Sequence, residues 1–161
     1  MKRQSRLILR GLRSLAIPVV LVALPVFADA PSDQYSPYVR ANLEIVDTKT
    51  LLSWRRSVVA DLTFLEALDT KTSCPSGTTY RIPTMKELLT LVDEQPHDEY
   101  EDGGLVSRTI DRSAFPLTPA GEFWSSTRYA TDASLAWVID FKTGAARLRN
   151  TTEKHFVRCL R

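Results

Sequence analysis

Ser134-Leu135-Ala136-Trp137-Val138-Ile139-Asp140-Phe141-Lys142-Thr143-Gly144-Ala145-Ala146-Arg147-Leu148-Arg149 is the stretch on which the fold turns. Leu135, Trp137, Ile139 and Phe141 fall at every second position, the period of a strand that buries one face, so residues 134–141 are expected to be a strand. Lys142-Thr143-Gly144 supplies a glycine-bearing hairpin turn, and residues 145–149 form the returning strand. Two further β-rich runs, 122–127 before it and 155–160 after it, complete a four-stranded, mainly antiparallel sheet.

Upstream the period changes. Pro83 precedes Thr84, and Thr84-x-x-Glu87 is a capping box, so a helix starts there with Met85, Leu88, Leu89 and Val92 as its buried stripe. Val58, Leu62, Leu65 and Leu68 recur at three and four, which predicts an earlier helix within 57–70. Before that, β-favouring residues surround the polar turn Asp47-Thr48-Lys49, giving a pair of short strands between 43 and 54, the second closed by Trp54. Residues 93–104 hold six carboxylates, one histidine and two glycines, and read as a solvated surface loop without the ligand order of an EF-hand. Residues 31–41 read as an extended lead-in, with the folded domain at 42–161. Short strands, two helices and then a sheet make an α+β layout.

A chain of 161 residues, 43% of them hydrophobic and 25% charged, has the composition of one globular domain and excludes low complexity or wholesale disorder. Residues 1–30 are expected to be a signal peptide. Lys2, Arg3, Arg6, Arg10 and Arg13 lead an apolar run over 15–27, which ends at Ala28-Asp29-Ala30 and is shorter than the roughly 20 residues that span a bilayer. Cleavage after Ala30 or Ala28 is expected, with an uncleaved anchor as the alternative. Losing five basic side chains and Asp29 shifts the formal charge of +2 to −2. The exported part then has no electrostatic reason to bind nucleic acid. An even pair, Cys74 and Cys159, in an oxidising compartment argues for one intramolecular disulfide, leaving no free thiol, and once the leader is cleaved no stable membrane insertion is expected. Neither cysteine has a CxxC partner, and His97 and His155 are not at ligand spacing, so no metal or cofactor is expected.

Six blocks, taken in order, carry a resemblance. They are the run 47–56 from Asp47 through Trp54 to Arg56; Tyr80-Arg81-Ile82-Pro83-Thr84-Met85-Lys86-Glu87-Leu88; Phe115-Pro116; Phe123-Trp124-Ser125-Ser126-Thr127; Ala136-Trp137-Val138-Ile139-Asp140-Phe141; and Val157-Arg158-Cys159-Leu160-Arg161. Together they resemble the Lcl C-terminal domain family over about 47–161. That resemblance implies a C-type-lectin-like fold, two helices packed on a mainly antiparallel twisted sheet, distantly related to formylglycine-generating enzymes and found in exported bacterial proteins. A well-known member is the end domain of a collagen-like adhesin that binds sulfated polysaccharides. This chain departs from that adhesin in having no collagen stalk. It also carries Tyr80 where the family usually has Trp.

The motif residues read as structural. Arg81, ahead of a helix start, is expected to pair with a carboxylate or with carbonyls. Trp54, Pro83, Glu87, Trp124 and Trp137 serve capping and packing, and Ser125 and Ser126 lack the elbow that would make either a nucleophile. Candidate ligand contacts are Arg128 and Tyr129, after the Trp124 strand, and Arg147 and Arg149, two apart and so on one strand face. The function expected is a non-enzymatic binding or adhesion module, periplasmic, cell-surface or secreted, whose partner is a polysaccharide or another envelope component. The alternatives are an enzyme on the formylglycine-generating scaffold, where paired cysteines hold copper, and a structural envelope partner.

Overall fold

In the computed structural model, described here for residues 31, 33–36, 43–74 and 79–161, the Ser134–Arg149 stretch is a hairpin of β8 (Leu135–Asp140) and β9 (Ala145–Asn150). Its turn is built by Asp140, whose carboxylate accepts from the Lys142 N–H and the Thr143 hydroxyl. Gly144 takes φ +73°, a backbone state that side-chain-bearing residues rarely adopt. β7 (Glu122–Arg128) lies antiparallel on the other side of β8, and β10 (His155–Val157) adds parallel to β7 at Phe156 opposite Phe123. β4 (Val59–Leu62) closes the far edge, giving the order β4-β10-β7-β8-β9. A second sheet has the order β1 (Tyr35–Ser36), β2 (Glu44–Asp47), β3 (Ser53–Arg55). β5 (His97–Glu101) and β6 (Gly104–Arg108) form a third, two-stranded one. Three short helices, α1 (Phe64–Leu68), α2 (Thr70–Ser73) and α3 (Met85–Leu89), complete an α+β domain.

The main sheet is covered on both faces. Phe123, Ile139 and Phe141 point into a core shared with Trp54, Ile45, Phe115, Leu160 and the α3 residue Leu88. Trp124, Ala136, Val138 and Val157 point the other way, against Phe64 and Ala67 of α1, Tyr80, Ile82 and the two cysteines. The expected one-sided alternation of β8 is therefore corrected. The small residues between the large ones are buried as well, because α1 and α2 occupy the face that a half-solvated sheet would leave to water.

Several other expectations change. The helix expected within 57–70 is a strand and two short helices: Val59 and Leu62 pair with β10, and Asp61 at φ +58° ends any helical run there. Thr63 then starts α1, its N–H and hydroxyl donating to Glu66, and the buried side chains become Phe64 and Ala67, while Leu65 is 67% exposed. The second helix forms as read from its capping box, yet Leu89 is 36% exposed. The helix stops at Thr90, and Leu91 takes the buried place. The lead-in contributes a strand, since Tyr35 and Ser36 pair with Asp47 and Val46 and the Tyr35 ring meets Phe115 edge-on at 5.2 Å; Asn42, where the domain was expected to begin, lies outside the described residues. Trp54 sits at the centre of β3 and is wholly buried.

The acidic stretch 93–104 also folds. Its carboxylates meet arginines: Glu101 and Glu99 bind Arg108, Arg112 lies 3.0 Å from Glu99, and Asp93 holds His97 at 3.0 Å. Local charge density read without these partners predicts a loop, and the partners turn it into a hairpin closed at Asp102-Gly103, both at positive φ. The expected signal peptide, residues 1–30, lies outside the described residues.

Candidate binding surface

The disulfide is present: Cys74, just past α2, joins Cys159 with Cα atoms 6.0 Å apart, both residues buried. It ties the segment after β10 to the helical layer. That segment is gripped on two sides, Leu160 bridging both Trp54 and Arg81, and Arg161 exchanging two backbone bonds with Ser53. Arg81 pairs with the Glu87 carboxylate through two bonds, 2.6 and 2.8 Å, so one glutamate serves both the capping box and the arginine before it. Together these bonds hold the Glu87 carboxyl down at about 2, the Arg81 guanidinium contributing most. Trp124 is core, its indole N–H donating to the Leu62 carbonyl. The Ser125 hydroxyl donates to the Trp137 carbonyl, and the Ser126 N–H to the Pro83 carbonyl, both inside the frame of the sheet.

The ligand candidates converge on the β7–β9 end of the main sheet. Arg128, Ala136 and Arg149 stand in one cross-strand row, and Trp124, Val138 and Arg147 stand in the next, so the three arginines share a face. Each already has a partner within the fold. Arg149 is bound bidentately by Glu122 at 2.5 and 2.6 Å, and this partnership raises the guanidinium's pKa. Arg147 lies 3.8 Å from Asp140 and 3.9 Å from Glu122. Arg128 donates to the Ala133 carbonyl and lies 4.6 Å from the Phe64 ring centre. His155 packs edge-on to Trp124, 3.4 Å from Glu122, and its burial lowers its pKa. The arginine pair read as a fork is thus half of a compensated ionic cluster. The other half, Glu122 and Asp140, carries no mark in the sequence that would announce it.

Tyr129 lies apart from that cluster. Its N–H donates to the Leu135 carbonyl at the end of the β7–β8 hairpin, and its ring meets Trp137 edge-on, centroids 6.3 Å apart at 80°. Trp137 pairs across strands with Leu148, and both are only partly covered. The sequence reads Trp137 as packing, and an alternating strand alone does not reveal which of its large residues stays partly exposed.

Sequence reasoning also missed Arg158. It is fully buried, donates to the Arg55 and Arg56 carbonyls and to the Thr118 hydroxyl, and lies 4.7 Å from the Phe115 ring centre. Burial pulls its guanidinium down to about 9. No local signal distinguishes it from the surface arginines on either side.

The model of the Lcl C-terminal domain matches residues 44–161. The chain belongs to the Lcl C-terminal domain family. The match covers the described fold from β2 to the final bridges, and the six blocks resolve in it as β2–β3, the Arg81–Glu87 helix start, the Phe115 core contact, β7, β8 and the disulfide-bearing end. Among curated proteins none matches the chain. Within this Lcl C-terminal domain no group of three or more His, Cys, Asp or Glu among the described residues is arranged to hold a metal ion.

Proposed function

We propose that the protein is an exported, non-enzymatic binding or adhesion module with a C-type-lectin-like fold, and that the β7–β9 end of its main sheet recognises a polysaccharide or another envelope component. The observation that carries this reading is the partly exposed Tyr129–Trp137 pair beside the β7–β8 connection of that sheet. Rigid aromatic rings left part-covered give a large contact area at low entropic cost, which is how recognition surfaces are made. Export is supported by the leader pattern of residues 1–30 and by a disulfide that a reducing compartment would not maintain.

The copper-enzyme alternative needs two free thiolates, and the Cys74–Cys159 bond consumes both. Thiol titration of the denatured, unreduced protein separates the two readings: no free thiol is expected, and two would restore the enzyme. The binding reading itself is tested by screening the purified protein against immobilised glycans and envelope fractions. Saturable retention on at least one is expected, and no binder above background overturns it.

A further inference from the structure

We infer that the Trp137 indole, with the Tyr129 ring set edge-on beside it, is a stacking platform for the pyranose ring of an uncharged polysaccharide. The inference rests on the binding-module reading above and names the ligand class of that surface.

Three observations converge on it. Trp54 and Trp124 have 0% exposure, whereas Trp137 is partly open and belongs to neither buried cluster, although it shares a face of β8 with the core residue Ile139. The buried cluster on that face therefore stops short of Trp137, which stays partly exposed. Next, the platform is held in place from behind. Trp137 is in a strand paired on both sides, its carbonyl accepts the Ser125 hydroxyl, and Tyr129 is pinned by its bond to Leu135. A ligand would meet two rings carried on backbone that is already fixed, which lowers the cost of binding.

The third observation concerns charge. By register, the residues of β8 and β9 on this face are Leu135, Trp137, Ile139, Ala146, Leu148 and Asn150, all uncharged. Arg147 and Arg149 project from the opposite face, where Glu122 and Asp140 hold them. A sulfate or carboxylate meets no cation in this register, whereas the C–H face of a neutral sugar needs only a flat apolar ring with room beside it. Indole and phenol rings meet that requirement, being apolar over the body and polar at one tip.

Because Trp137 alone of the three tryptophans is partly exposed, ligand-induced change in tryptophan emission reports this site. The full chain is titrated with cellohexaose and chitohexaose as uncharged probes and with heparin as a sulfated one. Saturable change with at least one uncharged probe, indifferent to added salt, is the expected result, since compensated or absent charges leave nothing for salt to screen. Followed by calorimetry, Trp137→Ala should weaken that binding by about tenfold or more, as the loss of roughly 1.4 kcal/mol implies. Trp137→Phe should retain part of it. Tyr129→Ala, outside the β8 strand, guards against misfolding and should also weaken binding with the circular dichroism unchanged, while Arg147→Gln should leave it intact. Binding to heparin alone, lost on adding salt, overturns the inference, as does unchanged affinity in Trp137→Ala. Retention on an envelope fraction without any uncharged-probe binding overturns the inference and leaves the binding-module reading standing; no retention on anything ends both.

Discussion

Glu87 shows how much one side chain can be asked to do. Its carboxylate accepts from the Thr84 N–H and hydroxyl and from both ends of the Arg81 guanidinium, so removing it frees a helix start and an arginine together. Arg81 is nearly half exposed, and solvent screening keeps the ion pair in the modest range of surface pairs. Glu87→Ala should accordingly cost about 1–2 kcal/mol at neutral pH, most of it from the cap. The carboxyl is held below its unfolded value of 4.5, at about 2, so its contribution is complete above the unfolded value and is lost as pH falls from there towards 2. Urea unfolding of the wild type and Glu87→Gln should therefore differ at neutral pH and converge near the acid end of that window. The capping box was legible because it is a four-residue pattern. Arg81's partner was legible only as a class, since Glu87 lies six positions further on and the intervening turn sets the geometry.

At the scale of elements, the Cys74–Cys159 bridge closes 85 positions of chain and holds the C-terminal segment against α2. Chain entropy alone assigns such a loop about 4.5 kcal/mol, and native bridges in small secreted domains typically contribute about 2–5 kcal/mol. Cys74→Ser should lose that amount in denaturant unfolding, Cys159→Ser should match it, and the double variant should be no worse than either, because all three remove one bond. Additive losses would mean that the cysteines act separately. The β5–β6 hairpin permits a second test. Glu99 and Glu101 are already engaged by Arg108 and Arg112, and Asp93 by His97 and the Gln95 N–H, so millimolar calcium has no vacant carboxylate cage to fill. The melting temperature should rise by less than about 2 °C, since a ion that does not bind the native state gives no linkage stabilisation. A larger rise, abolished by Asp98→Asn or Asp102→Asn, would show a calcium site there.

For the molecule as a whole, the leader and the described fold divide the sequence between two tasks. On the export reading proposed above, the basic residues at 2–13, the apolar run at 15–27 and the small residues Ala28 and Ala30 would serve passage and processing. Intact-mass analysis of an exported full-length fusion should find a product lacking residues 1–30. A secreted product that retains them would make the leader an anchor. Within the domain, the main sheet separates two cores, with α3 and the β1–β3 sheet on one side and α1, α2 and the disulfide on the other.

The sequence by itself determined the four strands of the C-terminal sheet, the start of α3, the β2–β3 pair, the disulfide and the family. Each rests on a local period, a short cap motif, a parity of cysteines or an ordered set of blocks. Tertiary structure alone decided which faces are buried and which charges are satisfied. Residues 57–62 carry helical spacing, yet they pair with β10, which lies about a hundred positions away and cannot enter a local pattern. Residues 93–104 carry the charge of a loop, yet become a hairpin because Arg108 and Arg112 return to neutralise it. Arg147 and Arg149 read as a bare pair in the sequence, and only folding brings Glu122, on a strand two places away, against Arg149 and near Arg147. Trp137 reads as core from its alternation, yet it stays partly exposed and outside both buried clusters. Burial and charge compensation are properties of pairs brought together by folding, and a one-dimensional pattern reports only one member of each pair.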